Sequence, residues 1–299
     1  LLSDAKKGTW SQETPLPSYR YEFSSAAVGK NIYVVGGIRE PSVWFPTNLV
    51  EEYDTDTKKW KQVKCLPRLL HHTGVAADNR YLYVVGGDRI RITPSKAAFR
   101  YDPVTDEWER LPDMPTPRGA LGVAVIGNIL YAVGGADYKK KYAILEALNL
   151  TTLKWERLPD MPTPREHLAV AVSPLGLHVF GGYNTDRFGS MPTHEIYNPK
   201  TKKWHSALPI PMPICGMMAA TVDDTVYVIG GEQGWAVSKY VFGYNILKKS
   251  WFRCLDLPIA RYAGSAATVN KNIHVIGGCE KMFSHHFGHS HDIFTPSNL

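Results

Sequence analysis

The sequence predicts an all-β protein assembled from six copies of one four-stranded unit, and three observations carry that expectation. Gly-Gly pairs recur at Gly36-Gly37, Gly86-Gly87, Gly134-Gly135, Gly181-Gly182, Gly230-Gly231 and Gly277-Gly278, spaced by 47 to 50 residues. A tryptophan stands 26 residues before each pair: Trp10, Trp60, Trp108, Trp155, Trp204 and Trp251. The segments between these marks are short, β-branched or aromatic, and bounded by turn residues. A period near 47 residues with glycine and aromatic marks belongs to a propeller or a solenoid.

The unit reads as four strands, lettered a to d. GVAVIGNILYAVGG (122–135) holds two strands around a Gly127-Asn128 turn, strands a and b. AAFRYDP (97–103) and DEWERLP (106–112), each bounded by Pro or Asp, are of types c and d. An aromatic or His precedes the glycines by three (Tyr33, Tyr83, Tyr131, His178, Tyr227, His274), and Tyr53, Tyr101, Leu148, Tyr197 and Tyr244 precede the next tryptophan by seven. Such a unit cannot cover its own faces, so neighbouring units must cover each other. The phrase WERLPDMPTPR, written at 108–118 and again at 155–165, is strand d and the d–a loop of two units.

The Gly-Gly after an apolar strand, the stretches Tyr101-Asp102-Pro103 and Tyr197-Asn198-Pro199, and the spaced tryptophans resemble kelch repeats over essentially the whole chain. That resemblance implies a six-bladed β-propeller, one domain over 1–299 with repeats at about 22–64, 70–111, 119–158, 166–208, 215–254 and 262–294. Trp10 lies in a d-type strand with no a, b or c before it, and His291-Asp292-Ile293-Phe294 resembles a c-type strand with no d after it. A closing strand over 8–14 should therefore complete the last blade and remove the exposed sheet edge.

Four strands running up and down put the d–a and b–c loops on one face. From the second glycine to the c-strand aromatic position the chain counts 16, 14, 13, 15, 13 and 16 residues, while the other distances stay fixed, so length variation falls in the b–c loops. Loops that vary on a uniform scaffold are where binding is expected. These loops carry Arg39, Trp44, Phe45, Arg89, Arg91, Tyr138, Lys139, Lys140, Lys141, Arg187, Phe188 and Trp235. The d–a loops add Arg20, Arg118, Arg165 and Arg261, with Leu70 and Ile214 at the corresponding positions of two blades, and beside them His71, His72 and Tyr262. The expectation is a ring of guanidinium groups around one mouth, suited to bidentate capture of carboxylates. Trp44 and Trp235 fall outside the repeat and have no scaffold reason to exist, which makes them contact candidates.

Composition bounds the function class. The chain has 299 residues, 44% hydrophobic and 21% charged, a net charge of +6, and no apolar run long enough for a membrane span. The positive charge is scattered among short loops and not gathered in a stripe, which argues against nucleic acid. Cys65, Cys215, Cys254 and Cys279 have no zinc-ligand spacing and fit free thiols of a reducing compartment, cytoplasm or nucleus. His285, His286, His289 and His291 lie within seven residues, but no cysteine or carboxylate array accompanies them, so the tract reads as loop or contact residues and no metal or cofactor is assigned. Phosphate loops and nucleophile elbows are absent, so no catalytic residue is assigned. The resemblance extends to the propellers of BTB-kelch (Kelch-like) proteins, and implies a non-catalytic substrate adaptor of a cullin-RING ubiquitin ligase. Such a module binds short, partly acidic peptide segments, with the cullin held by an upstream domain outside this chain. Cytoskeletal scaffolding and a sugar mutarotase are the other functions that kelch propellers imply; a copper oxidase would need a Tyr/His/Cys set not found here.

Overall fold

The computed structural model describes residues 7–40, 45–90, 93–184, 189–282 and 287–297. Every regular element in them is a strand. Six four-stranded antiparallel sheets form the blades. Blade I runs Ser24–Val28, Asn31–Val35, Val50–Asp54 and Lys59–Gln62. Blades II to V repeat that order from Gly74, Gly122, Ala169 and Met218. Blade VI takes strands a to c from Ser265–Val269, Asn272–Cys279 and Phe287–Thr295, and its fourth strand is Thr9–Gln12 from the N-terminal end. Trp10 faces Phe294 across that closing pair. The six a strands neighbour one another in a closed circle around the axis.

Each blade contact has its own core. Tyr33, Leu70 and Phe99 belong to the cluster between blades I and II, and Phe180, Ile214 and Phe242 to that between IV and V. Six such clusters complete the circle. At the outer edge every repeated tryptophan leans on the preceding blade, its indole N–H donating to a backbone carbonyl. Trp60 donates to Thr14 O (2.9 Å), Trp108 to Lys64 O (2.9 Å) and Trp10 to Leu255 O (3.1 Å). The glycine pairs serve the inner edge. Gly37 has φ +93°, its N–H donates to Leu70 O of the next blade, and a Cβ there would stand 2.7 Å from Tyr21 O. Only glycine fits that approach and that dihedral.

Two blades carry buried imidazole pairs in place of the b-strand tyrosine. His178 bonds His194 (2.9 Å) in blade IV and His274 bonds His291 (2.8 Å) in blade VI. Where the b position is Tyr33 or Tyr227, the matching c position is Val50 or Val241. Burial pushes His178 and His274 down to about 4, and burial with the neighbouring imidazole pushes His194 and His291 down to about 3. The folded protein keeps these rings neutral where the unfolded chain, titrating near 6.5, takes up protons. Their contribution to stability is therefore intact above about pH 6.5 and is lost as pH falls toward 4, by up to about 1.4 kcal/mol per pH unit for each ring. Replacing one pair by the arrangement of blades I and V, His178→Tyr with His194→Val, should flatten the dependence of urea unfolding on pH between 6.5 and 4. An unchanged slope would show that the pair is not what the acid attacks.

Candidate functional site

The d–a and b–c loops do share one face, because they pair with each other. In blade I Arg20 and Tyr21 pair with Arg39 and Ile38. The same contact recurs as His71 with Asp88, Gly119 with Ala136, Glu166 with Tyr183, Cys215 with Glu232 and Tyr262 with Cys279.

The structure corrects the expected ring of free guanidinium groups. Arg20, Arg118, Arg165 and Arg261 are at most 1% exposed. Each is paired with a carboxylate on strand c of the blade it precedes: Glu51 (2.7 Å), Glu146 (2.6 Å), Glu195 (2.5 Å) and Asp292. Arg20 also donates to Gly36 O (2.8 Å), Leu49 O (3.0 Å) and Ser18 Oγ (2.8 Å), and Arg118 donates to Gly134 O (2.8 Å), Ala132 O (2.9 Å) and Thr116 O (3.0 Å). A buried charge is tolerated only with such pairing, so these arginines fasten the d–a loop to its blade and offer no partner a free donor fork. Burial lowers Arg20 to about 10, against the opposing pull of Glu51.

The two blades without the arginine complete the pattern. Leu70 meets Phe99 at the c position that holds the carboxylate elsewhere, and Ile214 meets Phe242. Charge pair and apolar pair are alternative fillings of one slot. Arg118→Leu alone should destabilise the domain by about 3–5 kcal/mol, since Glu146 is left buried and unpaired. Adding Glu146→Phe, as in blades II and V, should recover most of that loss in chemical denaturation. Strictly additive losses in the two substitutions would refute the slot equivalence.

One residue beyond the pairing position, the chain closes a second ring. Glu22, His72, Ala120, His167, Gly216 and Ala263 occupy equivalent positions, all with φ between 49° and 58°. Their backbones bond head to tail around the axis: His72 N to Glu22 O (2.9 Å), Ala120 N to His72 O (2.9 Å), His167 N to Ala120 O (3.1 Å), Gly216 N to His167 O (2.9 Å), Ala263 N to Gly216 O (2.9 Å) and Glu22 N to Ala263 O (3.0 Å). Left-handed backbone costs a non-glycine residue about 1–2 kcal/mol, and the closed hydrogen-bond ring compensates it.

Above this ring lies a cavity of about 810 Å³. Its walls include Tyr21, Ile38, Phe45, Ile90, Tyr138 and Tyr183, and its floor carries Glu22, His71, His72, Asp88, Glu166 and His167. His72 Nε2 is 3.1 Å and His167 Nε2 is 4.0 Å from the Glu22 carboxylate, and His167 Nδ1 is 3.6 Å from Glu166. Burial would raise Glu22, but the imidazoles, His72 foremost, outweigh it and hold the group down at about 2. Burial would lower His167, yet Glu166 and Glu22 lift it to about 9. Burial foremost, with Glu166 and Glu22 beside it and against the pull of His72 and His167, carries Asp88 up to about 6, and burial with His72 takes His71 down to about 4. The floor is thus a mixed cluster in which carboxylates and imidazoles set one another's charge.

The remaining sequence candidates divide by place. Arg39 and Arg89 are exposed on the rim, Trp235 is 66% exposed, Tyr262 is half-buried, and His71 lies in the cavity floor. Trp44, Arg91, Arg187, Phe188, His285 and His286 lie outside the described residues. His289 stacks on Tyr19, while His291 belongs to the blade VI core. Glu22, Asp88, Glu166 and His167 escaped notice in the sequence. The readable signal was the repeat column two residues past the arginine, where Glu, His and His stand among Ala and Gly.

Fold and loop face together define a kelch-type propeller, a protein-interaction module. The chain belongs to the family described as the KLHDC2/KLHL20/DRC7 Kelch-repeats domain, which it matches over residues 2–135, 67–231 and 122–295. It is 32% identical over 87 residues to Kelch-like protein 40b of Danio rerio, covering 29% of this chain and 14% of that protein. Over 97 residues it is 33% identical to an F-box/kelch-repeat protein of Arabidopsis thaliana, covering 32% of this chain and 23% of that one. The chain thus spans less than a quarter of the length of these curated relatives.

Proposed function

We propose that this propeller is the recognition part of a substrate adaptor for a cullin-RING ubiquitin ligase, and that it takes a short peptide segment of its partner into the axial cavity. The observation that carries the reading is the cavity itself. It opens among the b–c loops, the segments that vary in length between blades, and its walls carry apolar and aromatic side chains that a scaffold does not require. Phe45 is 60% and Tyr138 75% exposed, so neither is held by the core. Aromatic groups around a concave site are what interaction hot spots use.

The electrostatics reshape the ligand expected from the sequence. With the four d–a arginines consumed internally, an acidic peptide gains nothing from them. Arg39 and Arg89 on the rim remain to meet acidic residues flanking an apolar anchor. The preferred segment is therefore apolar at its centre and acidic at its edge. The cullin would be held by another part of the full-length protein, in the cytoplasm or nucleus.

Panning a random peptide display library against the propeller should enrich one such consensus. Phe45→Ala with Tyr138→Ala should weaken the enriched peptides by about tenfold or more, the size of a hot-spot loss, while thermal stability stays close to wild type because both rings are exposed. Enriched peptides that bind the double variant as well as wild type would remove the cavity from the mechanism. Copurification of a cullin with the full-length protein, and not with this propeller alone, tests the ligase part separately.

A further inference from the structure

We propose that Glu22, His72 and His167 form a binding site for a single divalent transition-metal ion of the zinc type at the floor of the axial cavity. Two imidazoles and one carboxylate are the donor set that such ions accept, with a further position left for water or a ligand group.

The placement follows from the repeat. The six equivalent ring positions hold three potential ligands and three small residues, Ala120, Gly216 and Ala263. Because all six backbones share one left-handed conformation and one hydrogen-bond ring, the three ligand side chains leave it at equivalent angles and converge. Their donor atoms all lie within 4.8 Å of one another. His72 Nε2 and His167 Nε2 face opposite oxygens of the one Glu22 carboxylate, at 3.1 and 4.0 Å. Tetrahedral ligands about 2.0–2.1 Å from zinc stand roughly 3.3 Å apart; His72 Nε2 already stands near that distance from one Glu22 oxygen, and His167 Nε2, 4.0 Å from the other, must move inward to complete the set.

Metal-bound histidines are oriented by a partner on the second ring nitrogen. Nδ1 of His72 makes a close contact with Nδ1 of His71, whereas Nδ1 of His167 makes no hydrogen bond among the described residues and has Glu166 Oε2 beside it at 3.6 Å, the group that would orient the ring once it moves toward an ion. A second, independent observation points to an ion beside them. Asp88 is 6% exposed, shares a possible ligand cluster with His71 and His72, and its Oδ1 makes no hydrogen bond among the described residues. Gly119 leaves room for that carboxylate, since a Cβ there would lie 2.1 Å from Asp88 Oδ2. A buried oxygen without a donor is costly, and a nearby dication removes the cost. The three ligands line the cavity, which places the open coordination position where the bound segment would sit.

The competing explanation is an internal ion pair in which a protonated imidazole satisfies Glu22. Titration of chelator-treated protein with Co²⁺ and Zn²⁺, in the absence of any peptide, separates the two and is independent of the peptide reading. The metal site predicts one Co²⁺ per chain with the intense visible bands of a four- or five-coordinate ion, displaced by Zn²⁺, and a rise in melting temperature. His72→Ala and His167→Ala should each weaken binding by about 100-fold or more, and Glu166→Gln by about tenfold to 100-fold. Both alanine variants should fold without metal, because Ala120 and Ala263 already occupy this ring. Failure to bind stoichiometrically would overturn the proposal. So would binding that survives both ring substitutions and is abolished by replacing His285, His286 and His289.

Discussion

One buried slot under each d–a loop, filled by a guanidinium–carboxylate pair in four blades and by Leu70 or Ile214 with a phenylalanine in the other two, is the contact on which the site depends. A propeller needs each d–a loop to descend from the rim of one blade to the axis and enter the next at a fixed height. Arg20 achieves this by bonding Glu51 on strand c, Gly36 O at the end of strand b and Ser18 in its own loop, so three segments of blade I are tied at one point. The next two residues, Tyr21 and Glu22, are then delivered to the cavity with little freedom. Arg165 delivers Glu166 and His167 in the same way. A flexible loop could carry the same side chains but could not hold them convergent, because ordering it on binding would consume much of the interaction energy.

Much of this architecture was legible in the sequence because it repeats. The Gly-Gly and tryptophan spacings report residues whose environment is the same in every blade, and the strand swap at Trp10 could be read as an unmatched fragment at each end. What the repeat also contained, and what counting alone passed over, is coupling between columns. Arg occurs with Glu or Asp on strand c, and Leu70 or Ile214 with Phe. His178 and His274 occur with His194 and His291, and tyrosine with Val50, Ala98, Leu145 or Val241. Each couple fills one buried slot, where a polar group must bring its partner or be replaced together with it.

The arginines were misread for a related reason. Their position beside variable loops is visible in the sequence, but whether a guanidinium points to solvent or inward depends on a carboxylate some 30 residues away, and only the c-strand column reveals it. Cavity residues are harder still. Glu22, His72 and His167 are separated by 50 and 95 residues, and no local motif joins them. They meet because blades I, II and IV bend their loops to one axis, a relation that exists only once the ring is closed.

The inner ring also explains why the axial positions can differ from blade to blade. Left-handed backbone favours glycine, yet only Gly216 of the six positions uses it. Replacing a glycine there with His or Glu adds strain without adding packing, since the side chain faces a cavity and not a core. Ala120 and Ala263 bear the same strain with nothing polar to show for it, so the hydrogen-bond ring must be strong enough to hold any side chain. A scaffold with that reserve separates stability from recognition: the arginine pairs and interblade clusters keep the ring shut, and the six axial positions are left open to chemistry. Polar side chains at three of them, against small ones at the rest, are where this chain departs from its own repeat, and no contact of the scaffold requires that departure.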